Sequence, residues 1–242
     1  MPLGEEDNGW DASADAWIRF VRGGDHNRTL LLDPVMLDFC GDVAGCSVLD
    51  VGCGEGRFCR MLAKRGANVT GVDPTAALLE AARAADPGGN YVEGIAERLP
   101  FDDGSFDLVV SYVSLIDFAD LDRAIAEVAR VARPSGSIVI ANLNSFATAA
   151  NAGWLKDAQG RHLFLPLDRY FEVRADQTGW AGISILNWHR PFEAYLQALL
   201  AQGLRLRRFA EPRPTPEAVA ACPKLETNLR VPWFHAMEWT KD

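Results

Sequence analysis

Asp50 stands two residues before a run of alternating glycines, Gly52-Cys53-Gly54-Glu55-Gly56, at the end of the apolar stretch SVLDV. Glycines spaced this way let a ligand approach the backbone, and the helix expected next offers free N–H groups at its start. A dinucleotide fingerprint needs a third glycine where Arg57 stands, so that reading fails. A carboxylate in front of the loop also favours a positively charged ligand over a pyrophosphate. Asp73 follows 23 residues later, at the end of a second apolar run. A carboxylate there can accept both hydroxyls of a ribose. It can also cap the next helix, since Pro74 follows, and one carboxylate has acceptor sites enough for both.

These residues need a sheet to hold them, and the periodicity supplies one. SVLDV, NVTGVD, NYVEG, SFDLVVSYV and SIVIANL read as strands. Residues 57–65, a segment opening at Pro74, and DLDRAIAEVARVA with Asp120 as N-cap read as the helices between them. Such alternation predicts an α/β fold with a mainly parallel sheet, helices on both faces and ligands beyond the strand ends. Two late strands, LRLRRFAEP and RVPWFHAMEW, bring the sheet to seven. Residues 1–46 read as an N-terminal helical lid, with Trp10, Ala14, Trp17 and Val21 on one face, and 47–242 as the ligand-binding domain. Within it, 145–190 reads as an insertion capping the substrate, with β-like runs at RYFEVRA and GISILNW.

With VLDVGCGEGRF, GVD, GIAERLPFDDGSFDLVVS and RVARPSGSIVIA on one chain, residues 47–142 resemble the class I S-adenosylmethionine-dependent methyltransferases. The closest likeness is to the small-molecule branch of quinone-biosynthesis and natural-product enzymes. The resemblance implies a Rossmann-like fold with S-adenosylmethionine as cofactor. It implies that Asp50, Gly52, Cys53 and Gly54 hold the amino-acid part, that Asp73 with Pro74 holds the ribose, and that Ala96 and Glu97 line the adenine. Ser111 then lies beside the methionine moiety. Trp17, Gly24-Asp25 and Arg28 fit a bacterial subgroup, and Arg28 is a candidate fork for the methionine carboxylate. Where the family often has a polar residue before Ala96, this chain has Ile95. One lost hydrogen bond there would cost about 1 kcal/mol.

Methyl transfer from a sulfonium needs alignment first, and a base only when the acceptor arrives protonated. His189 and Asp117 are the candidates: His189 as a neutral imidazole before a helix, Asp117 just after the fourth strand. The alternatives are a histidine satisfied by backbone and a solvated loop carboxylate. Six of the seven tryptophans (10, 17, 154, 180, 188 and 233) fall in the lid, insertion and tail, which points to an apolar acceptor pocket.

The totals narrow the classes further. The 242 residues carry 24 Lys plus Arg against 33 Asp plus Glu, a net charge of −9, which argues against nucleic acid as partner. The segment after the fourth strand reads SYVSL rather than the Asn/Asp-Pro-Pro-aromatic motif used on bases. No Tyr-x-x-x-Lys pair supports a nicotinamide oxidoreductase. The five cysteines lack paired C-x-x-C spacing, so no metal site is expected. No apolar run reaches membrane-spanning length and the first ten residues resemble no targeting peptide, so a cytoplasmic protein away from membranes is the expectation. The function expected is methylation of oxygen or nitrogen on a small molecule, in secondary metabolism. The rival from another class is a non-catalytic S-adenosylmethionine-binding protein.

Overall fold

The computed structural model describes residues 8–150 and 153–241. The parts of the expected lid at 1–7 and of the expected insertion at 151–152 lie outside the described residues. Strands β1 (Ser47–Val51), β2 (Asn68–Asp73), β3 (Asn90–Glu93), β4 (Phe106–Tyr112) and β5 (Ala132–Leu143) are parallel neighbours in the order 3-2-1-4-5. A second pair, β8 (Arg205–Ala210) and β9 (Phe234–Thr240), completes seven strands, with β9 antiparallel to both β5 and β8. The near-continuous apolar runs of β1 and β4 arise because both faces of such a sheet are covered. Leu49 and Val51 point into one core with helices α5 (Leu121–Val131) and α7 (Phe192–Ala201). Val48 points into the other, with α2 (Asp33–Cys40) and α3 (Arg57–Ala63). Alternation of period two therefore sends Asp50 to the α3 side.

Every parallel strand ends at the same edge, and the candidate residues collect there. β1 hands over to the glycine loop, β2 ends in Asp73 and β4 ends at Tyr112. Above this edge lies α1 (Trp10–Arg22), packed on a separate two-stranded sheet of β6 (Arg174–Trp180) and β7 (Ile183–His189). Ser13 joins the two: its Oγ donates to the Ser184 carbonyl at 3.1 Å and accepts from the Ser184 N–H at 3.0 Å.

Several boundaries differ from the sequence reading. The first hairpin strand begins at Arg174 rather than Arg169, because a two-residue turn at Ala181 (φ 50°) and Gly182 (φ 84°) sets the register. Pro74 precedes its helix, which runs Ala76–Ala85 (α4) behind Thr75. β5 starts at Ala132 and runs through Pro134 and Gly136 on an irregular register. The packing face of α1 is Trp10, Ser13, Ala16, Trp17 and Phe20, without Val21.

Candidate functional site

A cavity of about 1910 Å³ opens at the carboxyl ends of the parallel strands, roofed by α1 and the β6–β7 hairpin. Gly52, Gly54, Asp73, Pro74, Ala96, Glu97, Trp17, Arg28, Asp117 and His189 all line it. Asp50, Cys53 and Ser111 do not. All three were expected at the ligand, and all three are buried beneath its floor. Strand alternation turns the Asp50 side chain toward α3, and the Ser111 hydroxyl is shared with that of Ser114 at 2.7 Å. Any part they take is therefore exerted through the glycine loop and Ser114.

The floor is shaped for close approach. Gly52 has φ 75°, and a Cβ there would come within 2.5 Å of the Ser114 Cβ. Asp73 organises this floor from below. Its Oδ2 accepts from the Gly54 N–H at 2.9 Å and its Oδ1 from the Thr75 N–H at 2.9 Å. Thr75, not Asp73, occupies the N-cap position of α4. Each carboxylate oxygen keeps a further lone pair for a ligand hydroxyl.

Asp50 is 1 % exposed, accepts from the Cys59 thiol at 3.3 Å through Oδ2, and has no partner for Oδ1 among the described residues. Burial pushes its carboxyl up to about 7, against the pull of the Cys59 bond and Arg28. A buried carboxylate oxygen without a donor is costly, and a cationic group in the cavity would lower that cost by acting through the floor, as Arg28 does. The donor set thus fits a ligand with ribose hydroxyls and an ammonium.

Arg28 stands over Trp17 at 4.6 Å and over Tyr112 at 5.3 Å, with Asp25 at 3.7 Å. Tyr112 is fixed by donating its hydroxyl to Asp33 Oδ1 at 2.7 Å, and Asp33 also pairs with Arg57. The next residue, Val113, adopts φ 58° on the cavity wall, its N–H held by the Ala141 carbonyl at 2.8 Å. A β-branched residue in that region carries strain of roughly 1–3 kcal/mol, the kind concentrated at functional sites.

The two candidate bases separate clearly. Asp117 ends the turn Leu115–Asp117 and is half-buried. It accepts from Asn187 Nδ2 at 2.9 Å, a neutral donor, and the Trp10 side chain lies in the same cavity wall. Burial pushes the carboxyl up to about 7. Arg190 braces the same loop, donating Nη2 to the carbonyls of Phe118 at 2.6 Å and Ala119 at 3.0 Å. His189 is 1 % exposed and has both ring nitrogens engaged. The Tyr170 carbonyl, 2.9 Å from Nε2, can only accept, so Nε2 carries the proton and Nδ1 accepts from Thr148 Oγ1 at 2.6 Å. Burial lowers its pKa and keeps it neutral. This geometry matches the alternative reading of His189, a histidine satisfied by its neighbours: it ties β7 to the segment around Tyr170. Accordingly, His189→Gln should retain turnover within about threefold while lowering the melting temperature, both read on one preparation.

Asn187 went unnoticed in the sequence, and Trp10 was read there only as a lid and acceptor-pocket aromatic. Asn187 is a neutral donor brought to Asp117 from a distant segment, and no local spacing announces that meeting. Among the described residues no group of three or more His, Cys, Asp or Glu could hold a metal ion, and the five cysteines are free thiols. No helix among them is long and apolar enough to cross a membrane.

Comparison with known proteins gives a consistent set. A family described as a methyltransferase domain matches residues 49–140. The solved structure of an S-adenosylmethionine-dependent methyltransferase from Mesorhizobium loti is 30% identical with a TM-score of 0.79, over 90% of this chain and 99% of that one. A malonyl-[acyl-carrier protein] O-methyltransferase of Pectobacterium atrosepticum is 36% identical over 126 residues, 51% of this chain and 50% of the relative. A ubiquinone biosynthesis O-methyltransferase of Maricaulis maris is 33% identical over 144 residues, 54% of this chain and 56% of the relative. The chain thus spans about half the length of the curated relatives it matches.

Proposed function

Because the chain belongs to the S-adenosylmethionine-dependent methyltransferases, we propose that it methylates oxygen or nitrogen of a small-molecule acceptor held between the glycine loop and the hairpin cover. The observation that carries this reading is Asp117, a half-buried carboxylate in the cavity wall whose donor Asn187 is neutral. When bound, S-adenosylmethionine supplies a methyl group already activated on a sulfonium. The protein's part is to seat that donor, to align the acceptor and to exclude water. Asp73 with Pro74 would hold the ribose, the Gly52–Gly54 floor the amino-acid part, Ala96 and Glu97 the adenine, and Arg28 the carboxylate. Ile95, 40% exposed on the cavity wall, leaves the adenine to apolar packing and Glu97. Asp117 would take the proton of a phenol or amine, with Asn187 orienting its carboxylate. A role in secondary metabolism and a cytoplasmic setting complete the reading; within residues 1–46 α1 acts as lid, and 145–190 act as acceptor cap.

The test is calorimetric titration with S-adenosylhomocysteine, with NAD as control, followed by assay of methyl transfer to a panel of phenols and amines. Micromolar binding with turnover on any acceptor supports an enzyme. Binding without turnover across the panel favours a non-catalytic binder, and tight NAD binding would overturn both.

Asp50 adds a further expected result. Its carboxyl is protonated below about pH 7 in the free protein. An ammonium seated in the cavity acts on it through the floor, as Arg28 does, and lowers that pKa. Binding of S-adenosylhomocysteine at pH 6 should then release a fraction of a proton, and almost none above pH 8. Titration in buffers of different ionisation heat measures the count. The release should persist in Asp117→Asn, which separates the two carboxyls.

A further inference from the structure

The cavity wall is unevenly charged. Eight carboxylate side chains line it against three guanidiniums. Several of these carboxylates have other duties. Asp73 and Glu97 face the proposed nucleoside seat, Asp25 pairs with Arg28 at 3.7 Å, and Asp120 caps α5. Two stand at the hairpin side of the cavity. Asp176 lies opposite Asn187 in the β6–β7 ladder and pairs with Arg174 at 2.8 Å. Asp117 accepts from Asn187 Nδ2 at 2.9 Å, and that amide brings no charge. The cation that acts on Asp117 from further off is Arg28, which Asp25 already holds. Bound S-adenosylmethionine brings a single net positive charge, too little to balance such a wall.

The rings of the roof point the same way. Trp10, Trp17, Phe20 and Trp180 form one cluster on the cavity wall, with neighbouring centroids 5.3 to 6.5 Å apart. The faces of such rings are negative and attract cations over an apolar surface. This wall already uses them so. The Arg28 guanidinium lies over Trp17 at 4.6 Å, and that of Arg190 lies over Trp188 at 4.9 Å. A carboxylate beside indole rings, sheltered from water, holds an ammonium better than a neutral hydroxyl and repels an anion.

We propose that the methyl acceptor is an amine that enters as its ammonium cation, with its nitrogen at Asp117 and its apolar body against the Trp10–Trp180 cluster, and that the nitrogen receives the methyl group. This rests on the methyltransferase reading and narrows it from oxygen or nitrogen to nitrogen. A phenol also offers Asp117 a proton, yet it leaves the charge of the wall unanswered. Asp117 accepts one proton from the ammonium, which frees the nitrogen lone pair. That pair forms the bond to the methyl carbon as the carbon–sulfur bond breaks, and the electrons of the broken bond stay on sulfur. The positive charge of the sulfonium passes to nitrogen, so the product is again an ammonium, and Asp117 returns its proton to water.

The probes are three molecules of similar shape and different charge: 2-phenylethylamine, 2-phenylethanol and 3-phenylpropionate. Each is titrated by calorimetry, at about pH 8, into protein saturated with S-adenosylhomocysteine. The amine should bind on the order of tenfold tighter than the alcohol, as one charged hydrogen bond would give, and the propionate should bind weakest. Asp117→Asn should remove most of the amine's advantage and leave the alcohol within about threefold, with S-adenosylhomocysteine binding as the check on folding. Equal affinity for amine and alcohol would overturn the proposal. So would preference for the propionate, failure of the amine to bind at millimolar concentration, or an advantage that survives Asp117→Asn. In the assay of phenols and amines, methyl should pass to amines, and transfer to phenols alone would also overturn it. Transfer to neither, or failure of S-adenosylhomocysteine to bind, would instead sink the methyltransferase reading itself.

Discussion

Replacing Asp117 by asparagine should lower turnover about a hundredfold and flatten its dependence on pH. A positioned base contributes roughly 10²–10⁴-fold to a step that needs proton removal. Burial pushes the Asp117 carboxyl up to about 7. Only the ionised form accepts a proton, so turnover of the unaltered enzyme should climb about tenfold per unit below pH 7 and level off above it. Asparagine has no such ionisation and should give a flat profile. The substitution has one structural cost. Asn187 donates to the carboxylate, and an asparagine there keeps one acceptor oxygen but turns a donor into the site. Loosening of the contact with β7 would therefore follow, but it would raise KM and leave the pH profile of turnover intact. Initial rates between pH 5.5 and 9 on any acceptor that turns over separate the two outcomes. An unchanged, pH-dependent kcat would remove Asp117 from the chemistry.

The second large effect is on cofactor affinity. Asp73→Ala should weaken S-adenosylhomocysteine binding by about 4 kcal/mol, close to a thousandfold. Two losses combine in it. The N–H groups of Gly54 and Thr75 lose their shared acceptor, so the floor and the start of α4 lose their brace. Ribose hydroxyls lose a charged acceptor at the same time, and hydrogen bonds to charged groups contribute about 1.5–3 kcal/mol each. Calorimetry measures the affinity directly. Binding within threefold of the unaltered protein would mean that the nucleoside does not lie over β2.

The cofactor half of the site was legible in the sequence because its parts are local. Asp73, Gly52 and Gly54 fall at strand ends, and apolar periodicity locates strand ends well. The alternation of strands and helices pointed to a mainly parallel sheet but not to its strand order, since pairing is a long-range property. Orientation was the weaker part. Asp50 and Ser111 belong to the right strands, yet the pleat turns Asp50 away from the cavity and Ser114 claims the Ser111 hydroxyl. The acceptor half was scarcely legible. Asp117 meets Asn187 across 70 residues and Ser13 meets Ser184 across 171. The hairpin strand beginning at Arg174 was placed five residues early, because its register is set by Ala181 and Gly182 rather than by its own composition. For His189 residue type alone left a base and a satisfied histidine both open, and its two partners match the second.

The β6–β7 hairpin forms its own sheet and shares no ladder bond with the seven strands. Its attachments include the apolar face of α1 with the pin to Ser13, the bond to Asp117, and the ties of His189 to Thr148 and Tyr170. Inheritance can therefore work on the two halves at different rates. Segment 145–190 can change length or composition while every pairing among β1, β2, β4 and β5 stays in place, so a descendant can acquire a new acceptor without rebuilding the nucleoside seat. The same independence suits exchange of that segment between relatives in the laboratory, provided each graft keeps a serine opposite Ser13 and a donor for Asp117.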